Sequence, residues 1–183
     1  MMDLGLQGKR AIVTGGSRGI GRCCALALAS EGARVCIVAR DRKTLNRTVD
    51  EIREVDGEGR GVSVDLRTQE GCQLAVNETV DAFDGVDILV NCAGSARGGD
   101  ILDLDIDLID DALGLKSYGY LRMSQLVIPH MRQNGWGRIV HIAGGAGTSP
   151  ERRNIPVSLA NVAILNMTRS LSDAVSGDGI LVN

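Results

Sequence analysis

At 183 residues, 44% hydrophobic and a formal net charge of −3, the chain describes one soluble globular domain with a sizeable core. Aromatic residues at 2% and the lack of a basic excess exclude a nucleic-acid surface built on stacking and phosphate neutralisation. No apolar run approaches about 18 residues, which excludes a transmembrane helix; the N-terminus has no signal-peptide pattern, so the expected compartment is the cytoplasm.

Lys9 to Val13 reads as a short apolar strand, and Ile20 to Ser30, rich in Ala, Leu and Cys, reads as a helix. Between them, Gly15, Gly19 and Gly21 let the backbone bend sharply and let an anion approach the main chain. The free N–H groups and dipole of the new helix favour negative charge there. A glycine loop without a ligand is the competing reading; the strand before and the helix after favour a phosphate site. Cys23, Cys24, Cys36, Cys72 and Cys92 fall in apolar segments without metal-ligand spacing. They read as small buried hydrophobes, and no metal is expected.

Arg34 to Ala39 is a second strand, near-continuously apolar, as suits a parallel sheet covered on both faces. Arg40 follows where a doubly wound fold inspects the adenosine ribose of a dinucleotide. An acid there suits the 2′-hydroxyl of NAD, whereas a cation suits the 2′-phosphate of NADP. Arg18 adds a second cation nearby, so NADP(H) is preferred over NAD(H). The alternative is that both arginines are solvated surface charges.

Asp41 to Val55 reads as a polar helix with Leu45, Val49 and Ile52 on one face. The turn Gly57-Glu-Gly59 leads to a third strand, Gly61 to Asp65. Asp65 at its end either accepts from an adenine amino group or caps the helix of Thr68 to Phe83. Val86 to Val90 is a fourth strand, running into Asn91-Cys92-Ala93-Gly94. A long helix spans about Asp105 to Gln133, weakened at Gly114 and Gly119, with Pro129 as a kink near its end. Trp136 to Ile142 is a fifth strand, Gly144 to Pro150 a glycine-rich loop, Pro156 to Ser176 a helix begun by proline, and Asp178 to Asn183 a sixth strand. The alternation predicts an α/β fold, a doubly wound parallel sheet with helices on both faces.

The spacing Thr14-Gly15-x-x-x-Gly19-x-Gly21, Arg40, Asp65 and Asn91-Cys92-Ala93-Gly94 occur in the order and spacing that resemble the short-chain dehydrogenase/reductase family. Pro129-His-Met, Gly137-Arg-Ile-Val and Gly179-Ile-x-Val-Asn extend the likeness into the second half. The resemblance implies one Rossmann-type NAD(P)-binding domain over residues 1–183. The implied cofactor contacts come from Gly15, Ser17, Arg18, Gly19, Ile20, Gly21, Arg40, Asp65, Leu66, Asn91, Ala93 and Gly94. It further implies a small alcohol/carbonyl substrate and a homo-oligomer through the two long helices, with no nucleic-acid or membrane partner. Gly94 to Asp105 and Gly144 to Pro156 are the stretches expected to read the substrate.

Family members usually carry an Asn, Ser, Tyr and Lys that act together on a carbonyl. The matching positions here are Lys116, Gly144, Val157 and Asn161, so no catalytic residue carries over. Losing a positioned general acid costs roughly 10²–10⁴ in rate, and one oxyanion donor about 10²–10³. Lys116 and Tyr120, four apart on the long helix, are the candidate surrogates, with the phenolate favoured beside the ammonium. The competing reading makes Lys116 a structural or interface cation and Tyr120 a core residue. His141 is either a further titratable candidate or a buried, hydrogen-bonded histidine; Tyr118 points away from Lys116. The family's C-terminal substrate-covering part is expected to be absent, through an incomplete chain or a site lacking that wall. Two functions follow from the sequence. One is an NADP(H)-dependent oxidoreductase on an alcohol/carbonyl pair with a non-standard proton donor. The other is a catalytically inactive nucleotide-binding protein, a cofactor sensor or partner subunit.

Overall fold

The computed structural model describes residues 3–94 and 97–183. Six parallel strands form one sheet in the order β3-β2-β1-β4-β5-β6. They are β1 (Arg10–Thr14), β2 (Arg34–Ala39), β3 (Gly59–Ser63), β4 (Ile88–Asn91), β5 (Gly137–His141) and β6 (Ile180–Val182). The helices between them are α1 (Gly19–Ser30), α2 (Arg42–Glu54), α3 (Gln69–Phe83), α4 (Asp107–Ala112), α5 (Gly119–Asn134) and α6 (Ile155–Val175). Helices α1 and α2 cover one face of the sheet, with Ala25, Ala29, Leu45, Val49 and Ile52 packed on Val13, Val35 and Ile37. On the other face α3, α5 and the end of α6 pack on Ile12, Cys36, Leu89 and Ile139.

Local chemistry explains the elements. Gly21, Ala25 and Ala29, one turn apart, are buried and small, so α1 lies close on the strands. The Asp41 carboxylate caps α2 by accepting from the Thr44 N–H at 2.8 Å, and Thr68 caps α3 through the Gly71 N–H at 3.0 Å. The cap role left open for Asp65 therefore belongs to Thr68.

Three sequence expectations need correction. The third strand begins two residues earlier than Gly61, because Val35 to Ala39 register with Gly59 to Ser63; Asp65 leaves the ladder and turns back to accept from the Arg67 N–H at 3.0 Å. Asn91 closes β4 instead of opening the turn, since Thr14 pairs with Asn91 in register. Cys23 is exposed on α1, and Cys24 and Cys92 are half-buried, so only Cys36 and Cys72 behave as core hydrophobes. The long helix is present, but Leu113–Tyr118 between α4 and α5 is π-helical, containing Gly114 and followed by Gly119, the glycines expected to weaken it. Pro129 lies inside α5, which continues to Asn134.

A polar layer runs through the core between β4, β5 and α5. The Asn91 amide donates to the Tyr120 carbonyl at 3.4 Å, and its Oδ1 is buried with no partner among the described residues. His141, buried, lies 2.9 Å from Thr168 Oγ1 through Nδ1 and 3.3 Å from Ser124 Oγ through Nε2. Burial pushes its pKa down from 6.5 to about 4, so the folded protein holds a neutral ring where the unfolded chain takes a proton below pH 6.5. Stability is thus fully present above pH 6.5 and is lost as pH falls toward 4, by an amount on the order of 3 kcal/mol at 1.36 kcal/mol per unit. Denaturant unfolding at pH 7 and pH 5 is expected to show this fall, and His141→Gln to flatten it; an unchanged slope in the variant would assign the fall to other groups.

Candidate active site

The carboxyl ends of β1 to β5 open into one cleft of about 1060 Å³, at the point where the strand order reverses between β1 and β4. Gly15 forms its floor. With φ +65°, it takes a conformation that favours glycine, and a Cβ there would stand 2.9 Å from Ala93 Cα and N. Gly21 is equally constrained, since its Cβ would overlap the Gly15 carbonyl. Thr14, buried beneath, accepts through Oγ1 from the N–H groups of Cys92 at 2.9 Å and Ala93 at 3.1 Å. The turn after β1 and the turn after β4 are thereby held together.

Ser17, Arg18 and Ile20 line the cleft at the start of α1, where Arg18 is extended and no side chain caps the first turn. Those N–H groups are the donors an anion needs. Arg40, Asp65 and Leu66 line the β2–β3 side, and Ala93 and Gly94 the β4 side. Arg40 Nη1 stands 3.9 Å from Asp65 Oδ2 and its side chain is 58% exposed. Three expected contacts do not line the cleft: Gly19, Gly21 and Asn91. Gly21 shapes the floor through its packing on Gly15, and Asn91 is fully buried in β4 behind it.

The β4–β5 side is walled by Leu115, Lys116, Ile142, Gly144 and Val157, beside the thiol of Cys92. Lys116 sits in the π-helical turn. Burial lowers its pKa below the ordinary 10.5, and it forms no ion pair among the described residues. Burial raises the Cys92 thiol, opposed by Lys116 and by the Gly21 N–H. Asn161 folds back: its Oδ1 accepts from the Gly144 N–H and its Nδ2 donates to the Val157 carbonyl, both at 2.7 Å.

The structure does not bring Lys116 and Tyr120 together as an acid pair. Tyr120 is buried at 1% exposure against the strands; its hydroxyl donates to the Ile142 carbonyl at 3.4 Å, and its ring lies 5.6 Å from that of His141. Burial raises its pKa, the reverse of the activated phenol expected from the spacing. Tyr118 is exposed beneath the Arg122 guanidinium. Among the described residues no three His, Cys, Asp or Glu side chains gather as a metal site, and no helix is long and apolar enough to cross a membrane. Thr14 opens the glycine motif, but its role in joining the two turns is not in the spacing; Asn161 stands where the family's Lys lies; and Arg67 is the contributor that no motif singled out. A hydroxyl at the end of a buried strand, which must find partners, is the signal that points to Thr14.

A family model described as short chain dehydrogenase matches residues 9–183. The 3-oxoacyl-[acyl-carrier-protein] reductase FabG of Aquifex aeolicus is 34% identical over 185 residues, covering all of this chain and 74% of that protein. L-Sorbose reductase from Gluconobacter frateurii, solved with NADPH and L-sorbose, superposes with a TM-score of 0.96 at 31% identity, covering 100% of this chain and 70% of that one. An NAD+-bound xylitol dehydrogenase gives 0.94 at 27%, over 97% of this chain and 69% of the other.

The close approach at the cleft floor is open to test. Gly15→Ala is expected to lower stability by about 1–3 kcal/mol through φ strain and the displaced Ala93. It is also expected to weaken dinucleotide binding about tenfold or more, roughly 1.4 kcal/mol. Thermal unfolding and fluorescence titration with NADPH would show both; an alanine variant binding like the wild type would remove the floor from this role.

Proposed function

The chain belongs to the short-chain dehydrogenase/reductase family of NAD(P)-dependent oxidoreductases, and on that premise we propose that it interconverts a small alcohol and its carbonyl compound with NADP(H), using Lys116 as proton donor. The residues present suit the cofactor. The uncapped first turn of α1 with Gly15, Ser17, Arg18 and Ile20 would hold the pyrophosphate, Asp65 and Leu66 the adenine, and Arg18 and Arg40 the 2′-phosphate. Ala93 and Gly94 would lie against it at the crevice. When bound, the nicotinamide supplies or accepts the hydride.

The observation that carries the proton assignment is the distribution of titratable groups along the cleft. Arg18, Arg40, Asp41 and Asp65 line the β1–β3 side, and Asp41 is engaged in capping α2. On the β4–β5 side the titratable groups are Cys92, its pKa raised by burial, and Lys116, its pKa lowered by burial. A desolvated ammonium is a stronger acid than one in water. Nζ of Lys116 gives its proton to the carbonyl oxygen in reduction and takes one from the hydroxyl in oxidation. Val157 and Gly144 provide no competing donor.

The exposed stripe Leu159, Val162 and Leu165 on α6 supports the homo-oligomer reading. Val162→Glu is expected to shift the protein to a smaller species in sedimentation velocity; an unchanged distribution would place any interface elsewhere.

NADPH oxidation against a carbonyl panel tests the reaction. Lys116→Met is expected to cut kcat by roughly 10²–10⁴ with NADPH affinity retained. Lys116→Arg should be equally slow, because guanidinium keeps the charge without releasing a proton near neutral pH. The acid must be protonated to work, so wild-type reduction falls as pH rises through a pKa below 10.5, and that alkaline limb disappears in both variants. Wild-type kcat in Lys116→Met overturns the assignment. Tight NADPH binding with no turnover on any substrate would instead select the nucleotide-binding reading.

A further inference from the structure

The geometry points to Arg67 as a positioning residue for cofactor choice: it neutralises Asp65 from outside the cleft, leaving the Arg40 guanidinium available to a ribose 2′-phosphate. This rests on the NADP(H) reading above. Arg40 and Asp65 both line the adenosine side of the cleft, and Arg67 does not. A bare carboxylate beside Arg40 would defeat a phosphate site twice, by drawing the guanidinium to itself and by repelling the phosphate.

Asp65 is not left bare. Its Oδ1 accepts from the Arg67 N–H at 3.0 Å and from Arg67 Nη1 at 3.3 Å. Its other oxygen is 3.9 Å from Arg40 Nη1, too long for a hydrogen bond. Arg67 is in turn fixed from the far side. Nε and Nη2 form a two-pronged pair with Asp111 of α4, at 2.5 Å and 3.0 Å. The Arg67 carbonyl accepts from Arg122 Nη1 of α5 at 2.9 Å. Exposure follows the same division: the Arg67 side chain is 22% exposed, whereas that of Arg40 is 58% exposed. One arginine is built in, shared between Asp111 and Asp65, and the other is left to the ligand.

The chemistry separates two cofactors that differ by one phosphate. In Arg67→Met the Asp65 charge is unmatched except by Arg40, so NADPH affinity falls about tenfold, the scale of one charge interaction in a partly screened site. NADH, which lacks the 2′-phosphate, changes by less than about twofold. Adding Asp65→Asn to Arg67→Met removes the unmatched carboxylate and returns the ratio of NADPH to NADH affinity to within about twofold of the wild type, the rescue that a merely structural role for Arg67 would not give.

Equilibrium titration of the full chain with NADPH and NADH, wild type first, decides the matter. A wild type preferring NADH overturns the NADP(H) reading and this inference with it. A wild type preferring NADPH, with Arg67→Met weakening both cofactors alike, weakening neither, or not rescued by Asp65→Asn, overturns the Arg67 inference alone. Should Arg67→Met fail to fold, Asp65→Asn by itself carries the test. It frees Arg40 of its competitor, and because the adenine contact of residue 65 is common to both cofactors the readout is their affinity ratio: NADPH over NADH is expected to rise about two- to threefold, and an unchanged ratio overturns the inference.

Discussion

The site depends on how closely the chain can bring the ends of β1 and β4 together. Thr14 Oγ1 accepts two N–H groups from the turn after β4, and the residue after it has no Cβ to hold that turn away. Each such hydrogen bond contributes about 1 kcal/mol net, but leaving those buried groups unmatched would cost about 1–3 kcal/mol. From this junction the chain departs in opposite directions, β1 leading to β2 and β4 leading to β5. Their connections lie on opposite faces of the sheet, and the space between them is the cleft.

A second consequence concerns the helix that follows β4. Asn91, Tyr120, Ser124 and His141 fill the region behind the cleft with polar groups that satisfy one another and the backbone, apart from Asn91 Oδ1. That layer anchors α5 against β4 and β5. One turn earlier, the π-helical segment carries Lys116 past the strand ends, where it lies over Gly94 with no ion-pair partner among the described residues. The same helix thus buries a phenol in the core and presents an ammonium to the cleft. Sequence spacing puts the two on one face; depth separates them.

Periodicity and small-residue patterns made much of the fold legible. The Ala spacing of α1, the Leu45–Val49–Ile52 stripe of α2 and the apolar run of β2 all report burial directly, and burial repeats with the period of the element. The glycine turn was legible because only glycine suits those contacts. Strand register was not: Gly59 and Arg60 are poor strand formers by composition, and it is pairing with Val35 and Cys36 that makes them strand. The place of Asn91 was hidden for the same reason. So was the role of Arg67, whose partners Asp65 and Asp111 are 2 and 44 residues away along the chain. Such polar pairings follow no period.

The wall that Lys116 shares with Gly144 and Val157 bears on the proton-donor role proposed for it. Asn161 has a side chain able to donate and accept, but both of its functions close on the backbone, to Gly144 and Val157. Val157 faces the cleft with methyl groups, and Gly144 with none. That wall therefore neither hydrates the ammonium nor neutralises it, and desolvation is left as the main influence on its acidity. A carboxylate on this wall would pair with Lys116, raise its pKa and hold its proton. An apolar wall does the reverse and leaves the ammonium a stronger acid, as the proposed transfer of its proton to a carbonyl oxygen requires.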